Sequence, residues 1–396
     1  MTAYFDNAAT TKMGRAAIEA MLPYFDEVYG NASSLHSMGQ RAKEALEEAR
    51  ATVAACLGAS PAEIYFTSGG SEADNQAILS AAKIGERKGK KHIITTAFEH
   101  HAVLHTLRKL EKEGFSVTYL TVGEKGNVSA EEVAAAIRED TCLVTTMTAN
   151  NEIGSVLPTA EIGAVCKARK VLFHTDAVQA VGHIPVDVEK MQADMLSLSA
   201  HKFHGPKGVG VLYARKGVAL TSLIEGGAQE RGRRAGTENV AGIMGLAAAL
   251  KEATAHLAEN MKRVTALRDK LIAGLSRIPH SVLNGDPSAR LPGNVHFCFE
   301  GIEGESLLLL LDDAGIEASS GSACTSGSLD PSHVLLAIGH PHEIAHGSLR
   351  LSLSEYTTEE EVDLALEVIP QVVKRLREMS PIWREKTEGK KPFLLP

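Results

Sequence analysis

The chain has few of the residues that mark secreted, metal-binding or nucleic-acid-binding proteins. Only five of its 396 residues are cysteine, and no two of them form a C-x-x-C pair. An odd number of cysteines without such pairs disfavours a disulfide framework and a zinc site. Basic residues are not in excess either, since the formal net charge is -8. We therefore expect no nucleic acid among the main partners.

Long hydrophobic runs are also missing. The longest aliphatic stretch, Leu307 to Leu311, is far shorter than the ~20 residues that span a membrane. The amino terminus has no basic segment followed by an apolar core, so we expect no signal peptide, no export and no membrane partner. The remaining composition, 44% hydrophobic and 23% charged, is typical of a globular protein, which we place in the cytoplasm.

The cysteines fall into two classes. Cys56, Cys142, Cys166 and Cys298 lie in apolar, periodic segments and are expected in the core. Cys324 lies among serine, glycine and threonine, between a predicted strand and a predicted helix. Loops of this kind often carry function, and a thiolate attacks sulfur readily. Cys324 is therefore either a reactive thiol or an inert surface cysteine.

Seven apolar, β-rich runs are mostly separated by helical patterns, which predicts βαβ units and a largely parallel sheet. The runs are Ile64–Thr67, His92–Thr96, Val117–Val122, Leu143–Met147, Val171–His174, Met195–Leu198 and Val209–Tyr213. The last two lack a helix between them, so we expect one antiparallel strand. Helical patterns from Arg15 to Tyr29 and from Gln40 to Leu57 precede the first run.

A second pattern follows residue 257. It begins with a long helix over residues 260–275 and continues with three predicted strands that alternate with helices. This pattern predicts a smaller α+β domain. The charged tail from Lys386 to Lys391 is expected to be frayed.

Two stretches place reactive side chains where apolar strands end. The strand that begins at Val171 leads to Asp176 and Gln179, and Lys202 follows the next strand. Ligands of open α/β sheets bind at such carboxyl ends. A lysine near other cations can lose its proton and form a Schiff base, and an acid can pair with a pyridinium nitrogen. Together they suit pyridoxal phosphate. The alternative is a strand end with solvated basic residues.

Thr67 to Asn75 follows a strand and opens a helix, so its amides and the helix dipole can hold a phosphate. A glycine turn with a serine N-cap is also an ordinary way to begin a helix. His101 and His105 have the i, i+4 spacing of two metal ligands, but no third ligand accompanies them. We expect no intrinsic metal site.

Motifs along nearly the whole chain resemble those of the cysteine desulfurases of the class V aminotransferase group, and within it the nitrogen-fixation type. The motifs are FDNAATT (Phe5–Thr11), GNASSLH (Gly30–His36), TSGGSEADN (Thr67–Asn75), EHHAVL (Glu99–Leu104), ANNEIG (Ala149–Gly154), HTDAVQ (His174–Gln179), SAHKFHGPKG (Ser199–Gly208), RAGTEN (Arg234–Asn239), SSGSACTSGSLDPSHVL (Ser319–Leu335) and SLRLSLS (Ser348–Ser354). The stretch around Cys324 is the most specific, since it separates desulfurases from other pyridoxal phosphate enzymes of the same fold.

The resemblance implies the fold of type I pyridoxal phosphate-dependent transferases. A large domain, residues 13–257, would contain a mostly parallel seven-stranded sheet and bind the cofactor. A small domain, residues 258–396 with 1–12, would carry the cysteine loop. The implied reaction converts L-cysteine to L-alanine and leaves a persulfide on Cys324. A homodimer and an iron-sulfur scaffold protein as sulfur acceptor are implied as well.

The resemblance also assigns roles to individual residues. The implied catalytic residues are Lys202, His100 and Cys324. The implied cofactor ligands are Lys202, Asp176, Gln179, Asn151, His100 stacked on the ring, and the phosphate ligands Gly70, Ser71, Ser199, His201 and Thr237 of the neighbouring subunit. Gly70 and Ser71 stand where many relatives carry alanine and threonine. Arg350 and Asn151 would bind the substrate, and Cys324 can ligate a transient iron-sulfur cluster.

Alternatives remain at this point. The chain could be a pyridoxal phosphate lyase or transaminase that acts on another amino acid, such as selenocysteine, because only Cys324 argues against it. It could also be a catalytically silent partner, against which the intact Lys202, Asp176, His100 and Arg350 argue. Arg350 could serve a structural salt bridge rather than a substrate carboxylate. The destination of the sulfur, nitrogenase maturation or general iron-sulfur assembly, stays open.

Overall fold

The computed structural model describes residues 2–321 and 331–396, and three β-sheets organise this part of the chain. The strands are β1 (Ala3–Tyr4), β2 (Ile64–Thr67), β3 (His92–Thr96), β4 (Ser116–Leu120), β5 (Thr141–Met147), β6 (Leu172–Asp176), β7 (Met195–Ser199), β8 (Gly210–Ala214), β9 (Ser281–Leu283), β10 (Asn294–Phe299), β11 (Ile316–Glu317) and β12 (Ser348–Ser352).

The helices surround these sheets. They are α1 (Arg15–Met21), α2 (Pro23–Asp26), α3 (Ser37–Leu57), α4 (Gly70–Glu86), α5 (His101–Lys112), α6 (Ala130–Ala136), α7 (Thr159–Arg169), α8 (Gln229–Gly232), α9 (Val240–Ala255), α10 (Leu257–Leu275), α11 (Gly304–Asp313), α12 (His333–Ala337), α13 (His342–Ala345), α14 (Glu359–Met379) and α15 (Pro381–Thr387). Single 3-10 turns form at Pro61–Glu63 and Ala200–Lys202.

The large sheet has seven strands in the order β2-β8-β7-β6-β5-β3-β4. Strand β8 runs antiparallel to β2 and β7, and the other pairs are parallel. Every residue of β5, β7 and β8 is buried, as expected where helices cover both faces of a sheet. The prediction of a mostly parallel seven-stranded sheet with one antiparallel strand is confirmed.

Parallel strands bring several chain segments to the same edge of the large sheet. Strands β2, β3, β5, β6 and β7 all end there, because the antiparallel β8 lies between β2 and β7 and restores the direction of β2. Helix α4 begins just after β2, α5 begins after β3, and the Ala200–Lys202 turn follows β7 directly. Segments distant in sequence therefore meet at one edge.

A three-stranded antiparallel sheet, β12-β10-β9, and a parallel pair, β1 with β11, form the second part of the fold. One hydrophobic cluster joins Ala3 and Phe5 to side chains of α10, β10 and α14, among them Leu271, Phe297 and Ile369. The amino-terminal segment thus packs with the later part of the chain. The domain division near residue 257 stays a prediction.

The one helix prediction that the structure divides has a clear cause. The helix predicted from Arg15 to Tyr29 is divided into α1 and α2, because Pro23 lacks the N–H that a continuous helix needs and starts the second helix instead. A capping box opens α6, since the hydroxyl of Ser129 accepts from the N–H of Glu132 at 3.1 Å. Strand β9 and helix α15 were not predicted.

The expectation of a frayed tail is wrong. Lys386 is only 4% exposed, and its Nζ contacts the buried carboxylate of Glu300 and lies 2.8 Å from Glu343. The N–H groups of Leu394 and Leu395 also donate to Glu300. A buried carboxylate needs such partners, so the tail is fixed against the smaller sheet.

Cys142, Cys166 and Cys298 are buried, as predicted, and Cys56 is half-buried. Within residues 2–321 and 331–396, no helix combines the length and the apolar character that crossing a membrane requires.

Candidate active site

A cavity of about 310 Å³ opens at the carboxyl edge of the large sheet. Its lining comprises Ala8, Ala9, Gly70, Ser71, Asp74, His100, Met147, Ala149, Asn151, Asp176, Val178, Gln179, Ser199, His201, Lys202, Gly321 and Arg350. All the predicted site residues are among them except Thr237 and Cys324. The volume suits a small-molecule ligand.

Asp176 ends β6 and lies buried beside Lys202. Burial raises its pKa to about 6, although the N–H of Val178, 2.9 Å from Oδ1, and the charge of Lys202 oppose that shift. A buried carboxylate of this kind gains much from a cationic ligand group, since such a group restores its charged form.

A second acid, Asp74, lies behind Asp176. Burial, together with the nearby charge of Asp176, raises its pKa well above the usual range. Its Oδ1 lies 3.6 Å from Nε2 of His174, and within the described residues this oxygen has no hydrogen-bond partner. The ring of His174 is held by Thr145 and Ser197 at 2.8 and 3.0 Å. His174 therefore supports the floor of the site rather than lining the cavity.

Lys202 lines the same cavity as Asp176. Its Nζ donates to the carbonyl oxygens of Ala8 and Ala9 at 2.6 and 2.9 Å. Gln179 Nε2 donates to the same Ala8 oxygen at 3.0 Å. The motif around Ala8 was quoted for the resemblance without a role, and backbone carbonyls have no sequence signature. These two acceptors were therefore missed.

The start of helix α4 forms a cradle beside the cavity. An open depression of about 340 Å³ shares four residues with the cavity, namely Gly70, Ser71, Ser199 and His201. The ring of His201 lies with Nδ1 3.1 Å from Thr10 Oγ1, and burial with the nearby Lys202 and Lys207 lowers its pKa to about 4. Helix N–H groups, hydroxyls and a neutral imidazole suit a phosphate.

The glycine at position 70 has a steric reason. A Cβ placed on Gly70 would lie 2.6 Å from Cγ2 of Val178, which is closer than real side chains come. Val178 thus fills space that an alanine at position 70 would need. The departure from the family pattern keeps the N–H groups of the helix start unchanged.

His100 is the N-cap of α5 and closes one side of the cavity. Its Nδ1 accepts from the N–H of Ala102 at 3.1 Å. Burial, with Lys202 and nearby histidines, lowers its pKa to about 4. The ring is therefore neutral at pH 7, and its proton lies on Nε2.

Arg350 lies on β12 with 2% exposure. One guanidinium nitrogen donates to the carboxylate of Asp6 at 2.8 Å and another to the carbonyl of Asn151 at 2.9 Å. Its Nε has no partner within the described residues. Asp6 was not singled out from the sequence, because 344 residues separate it from Arg350. The structure thus places the predicted substrate arginine at the cavity and pairs it with Asp6.

Two predicted residues do not line the cavity. Thr237 is exposed and borders a separate, smaller depression with Ser68, Gly208 and Arg234. Cys324 lies outside the described residues. Gly321, just before the undescribed stretch, does line the cavity, and its carbonyl accepts from Arg350 at 3.2 Å.

Two further buried acids surround the site. Glu99 precedes His100, and burial raises its pKa to about 8 even though Thr96 and the N–H of Met147 donate to it. Burial also raises the pKa of Glu152, to which Ser332 donates. Both residues belong to quoted motifs, but glutamates in loops usually face solvent, so their burial was not predicted. In the described part of the chain, no group of three His, Cys, Asp or Glu residues is arranged to hold a metal ion.

The residues fit pyridoxal phosphate. A buried acid with a raised pKa and a lysine line one cavity, and the anion cradle at a helix start shares four residues with that cavity. Lys202 would hold the aldehyde carbon, Asp176 the ring nitrogen, and Ser71, Ser199 and His201 the phosphate.

Comparison with known proteins gives consistent matches. The family described as aminotransferase class-V matches residues 3–365. The cysteine desulfurase IscS of Methanosarcina thermophila is 57% identical over 379 residues, which is 96% of this chain and 94% of that protein. A NifS-like protein of known structure aligns with a TM-score of 0.89 and 42% identity over 95% of this chain and 100% of that chain.

SspA, solved in complex with cysteine, aligns with a TM-score of 0.79 and 38% identity over 90% of this chain and 100% of that chain. The range matched by the family includes every residue that lines the cavity.

Proposed function

This chain is a cysteine desulfurase of the class-V aminotransferase family, a pyridoxal phosphate-dependent enzyme, and from that membership we propose the roles of its residues and the path of the sulfur. The substrate is L-cysteine, held by Arg350 and Asn151. Lys202 and His100 move protons, and Cys324 receives the sulfur as a persulfide. The sulfur then passes to an iron-sulfur scaffold protein.

One observation supports the assignment of roles most strongly. Lys202, Asp176 and Arg350 come from three separate segments and line the same cavity of about 310 Å³. A lysine and an acid for the cofactor would suit many reactions. The buried guanidinium adds a group for a carboxylate, and an amino acid has one.

Pyridoxal phosphate, when bound, withdraws electrons from the α carbon of an amino acid. The residues around it then have distinct tasks. Lys202 takes the α-proton, since it lines the cavity with Asp176 and its Nζ is held there by the carbonyls of Ala8 and Ala9. His100 is neutral with its proton on Nε2, so it can exchange a proton with the substrate thiol. Arg350 fixes the carboxylate and thereby the orientation of the α carbon.

The overall reaction balances. The bond between Cβ and sulfur of cysteine breaks, and a sulfur–sulfur bond to Cys324 forms. The carbon skeleton leaves as L-alanine with one more hydrogen on Cβ, and that hydrogen replaces the sulfur. No external oxidant or reductant is needed until the persulfide is discharged to an acceptor.

The test uses holoenzyme with L-cysteine and no reductant. We expect one extra sulfur on Cys324 by peptide mass mapping, and alanine in equal amount. Cys324→Ala should still bind cysteine, as a change in cofactor absorbance, while it forms almost no alanine. Cys298→Ala, a buried cysteine near the small sheet, serves as the matched control.

Two results would contradict the proposal. Undiminished alanine from Cys324→Ala would identify a pyridoxal phosphate lyase. A persulfide mapped to Cys56, Cys142, Cys166 or Cys298 would assign the acceptor role to another thiol.

We further propose a cytoplasmic homodimer in which Thr237 completes the phosphate site of the neighbouring subunit. The separation of Thr237 from the cavity of its own chain supports this arrangement. Cys324 would also ligate a transient iron-sulfur cluster during transfer. Supply of sulfur to nitrogenase maturation is one destination within this proposal. Sedimentation of the holoenzyme tests the dimer, and a monomer with full cofactor content and activity would exclude it.

A further inference from the structure

His333 lies beside the candidate acid/base but was not assigned a role. It is the first residue of α12, and its side chain contacts the residues on both sides of His100. Its Nε2 is 2.9 Å from the carbonyl oxygen of Glu99, and its Nδ1 is 3.1 Å from Nε2 of His101. The rings of His101 and His333 are 4.6 Å apart. One imidazole thus holds both neighbours of His100.

The partners determine where the protons lie. A carbonyl oxygen only accepts, so Nε2 of His333 must carry a proton and donate to Glu99. Burial, together with His333 and His105, lowers the pKa of His101 to about 4, so His101 is neutral at pH 7. Because Nε2 of His333 donates to the Glu99 carbonyl, its Nδ1 is the nitrogen left to accept, and Nε2 of His101 donates to it. The two bonds form one directed chain from His101 through His333 to the backbone of residue 99.

This chain limits how His100 can move. The carbonyl of residue 99 is fixed by His333, and the carboxylate of the same residue accepts from the N–H of Met147 on β5 at 3.0 Å. On the other side, residue 101 is fixed through its ring. His100 itself accepts from the N–H of Ala102, which needs the first turn of α5 in place. With both neighbours held, the ring keeps one orientation and one tautomer.

Helix α12 has anchors of its own. Ser332 caps it by accepting from the N–H groups of Val334 and Leu335, and its hydroxyl donates to Glu152. Val334 and Leu335 are fully buried. Removing the ring of His333 therefore leaves α12 docked, so its effect on His100 can be measured apart from folding.

We propose that His333 is a positioning residue for His100 in the desulfurase reaction, an inference that rests on the role given to His100 above. Its two hydrogen bonds hold the proton of His100 on Nε2, toward the cavity.

Three variants separate the two bonds. His333→Ala removes both. His333→Gln places an amide near the position of Nε2 and retains a donor to Glu99, whereas His333→Asn places one near Nδ1, opposite His101. His105→Ala is the matched control, since His105 is exposed and its ring lies 4.9 Å from that of His101. Within the part of the chain that the structure describes, its ring makes no hydrogen bond to residues 99–101, so the variant removes a neighbouring imidazole without removing either bond of His333.

Steady-state kinetics give the first measurement. We expect His333→Ala to lower kcat by about 10- to 100-fold, the effect of misplacing a reacting group, with KM for L-cysteine within about twofold because Arg350 is untouched. His333→Gln and His333→Asn should lie between His333→Ala and wild type, and His105→Ala should match wild type. A kcat of His333→Ala within twofold of wild type would overturn the proposal.

Nitrogen NMR of ¹⁵N-histidine-labelled holoenzyme gives a measurement that does not depend on turnover. Wild type should show His100 with a proton on Nε2 and a bare Nδ1, and His333→Ala should shift both signals while His105→Ala leaves them in place. Unshifted His100 signals in His333→Ala would refute the positioning role even if kcat falls. An inactive wild type with these shifts intact would instead reject the proposed function and keep the positioning role.

Discussion

Two buried arginines, Arg50 away from the cavity and Arg350 in its lining, differ in how completely their charge is paired. Arg50 of α3 pairs with Glu230 through two hydrogen bonds of 2.8 Å each, and its remaining nitrogen contacts Glu47 at 3.3 Å. Arg350 has a single carboxylate contact, to Asp6, and within the described residues its Nε has no partner. Both side chains are buried.

The difference teaches which buried charges are structural. In the Arg50–Glu230 pair each carboxylate oxygen and each guanidinium nitrogen is used, and Glu230 also accepts from the N–H of Phe66 at 3.0 Å. Such a closed pair can take no ligand without breaking. Arg350, Asp74 and Glu99 each retain an unused polar atom within the part of the chain that the structure describes. Buried polar atoms are costly when left unpaired, and two of these residues, Arg350 and Asp74, line the cavity, where a ligand can supply the missing partner.

The largest effect should distinguish Lys202, which is half-buried at the cavity, from Lys386, which is buried in the tail. Lys202→Ala should lower kcat by about 10³-fold or more and remove the visible absorbance of covalently held cofactor, because among the described residues that line the cavity Lys202 is the one lysine. Lys386→Ala should retain both and unfold at lower denaturant concentration, since it leaves Glu300 without its cation. Absorbance spectra and denaturant titrations distinguish them. An unchanged spectrum in Lys202→Ala would remove this lysine from the mechanism.

Breaking the closed pair should mainly affect folding. Arg50→Ala leaves Glu230 buried without its counter-ion, which costs about 3 to 5 kcal/mol of unfolding free energy. Urea titration of the wild type and the variant measures it. Arg15→Ala, which removes an exposed pair with Glu19, is the control and should leave the midpoint unchanged. Equal midpoints for Arg50→Ala and wild type would show that the pair does not stabilise the fold.

Replacing Arg350 should mainly weaken the binding of the substrate. Arg350→Ala should lower kcat/KM for L-cysteine by a factor equivalent to about 2 to 4 kcal/mol, the loss of a desolvated, charge-assisted contact. Its unfolding free energy should fall less than that of Arg50→Ala, because the carboxylate of Asp6 is 23% exposed and can be hydrated. Arg350→Lys keeps the positive charge but loses the two parallel N–H groups with which a guanidinium binds a carboxylate. A variant that fails to fold while residual protein keeps the wild-type KM would make Arg350 structural.

The smallest effect concerns pH. Burial raises the pKa of Glu99 to about 8, so the folded protein retains a proton that the unfolded chain loses above its ordinary pKa of 4.5. Stability should therefore fall as pH rises from 4.5 to 8, by roughly 2 to 3 kcal/mol between pH 5 and 7. Glu99→Gln should remove this slope, and Glu131→Gln, at an exposed position, should keep it. Denaturant titrations at several pH values decide the matter, and parallel curves for wild type and Glu99→Gln would contradict the shift.

The sequence was informative where a local pattern controls structure. Alternating strands and helices predicted the seven-stranded sheet, and strand ends predicted Asp176 and Lys202 at one edge. The pairing of Arg350 with Asp6 was not predicted, because strand β12 and the amino-terminal segment meet only in the folded chain. The carbonyls that hold Lys202 were missed because every residue has one.

For the tail from Lys386 to Lys391, the composition led to a wrong prediction. The composition around Lys386 is that of a solvated segment, and most such segments are exposed. Its partners, Glu300 and Glu343, lie far away in sequence. Composition could not reveal a contact that depends on tertiary structure. Likewise, His340 lies in a Gly/Pro loop, a composition typical of solvated surface, yet it is half-buried and lies 2.6 Å from Oδ1 of Asn284.

The amino-terminal segment sets a distance. Asp6 holds Arg350, and the carbonyl of Ala8, two residues later, holds Lys202 and Gln179. Two residues of extended chain span at most about 7 Å. Covalent geometry therefore limits the distance between Asp6, which holds the substrate arginine, and the Ala8 carbonyl, which holds the cofactor lysine. Side-chain packing can vary around the cavity, but the insertion of a single residue between positions 6 and 8 would change the distance between these two anchors.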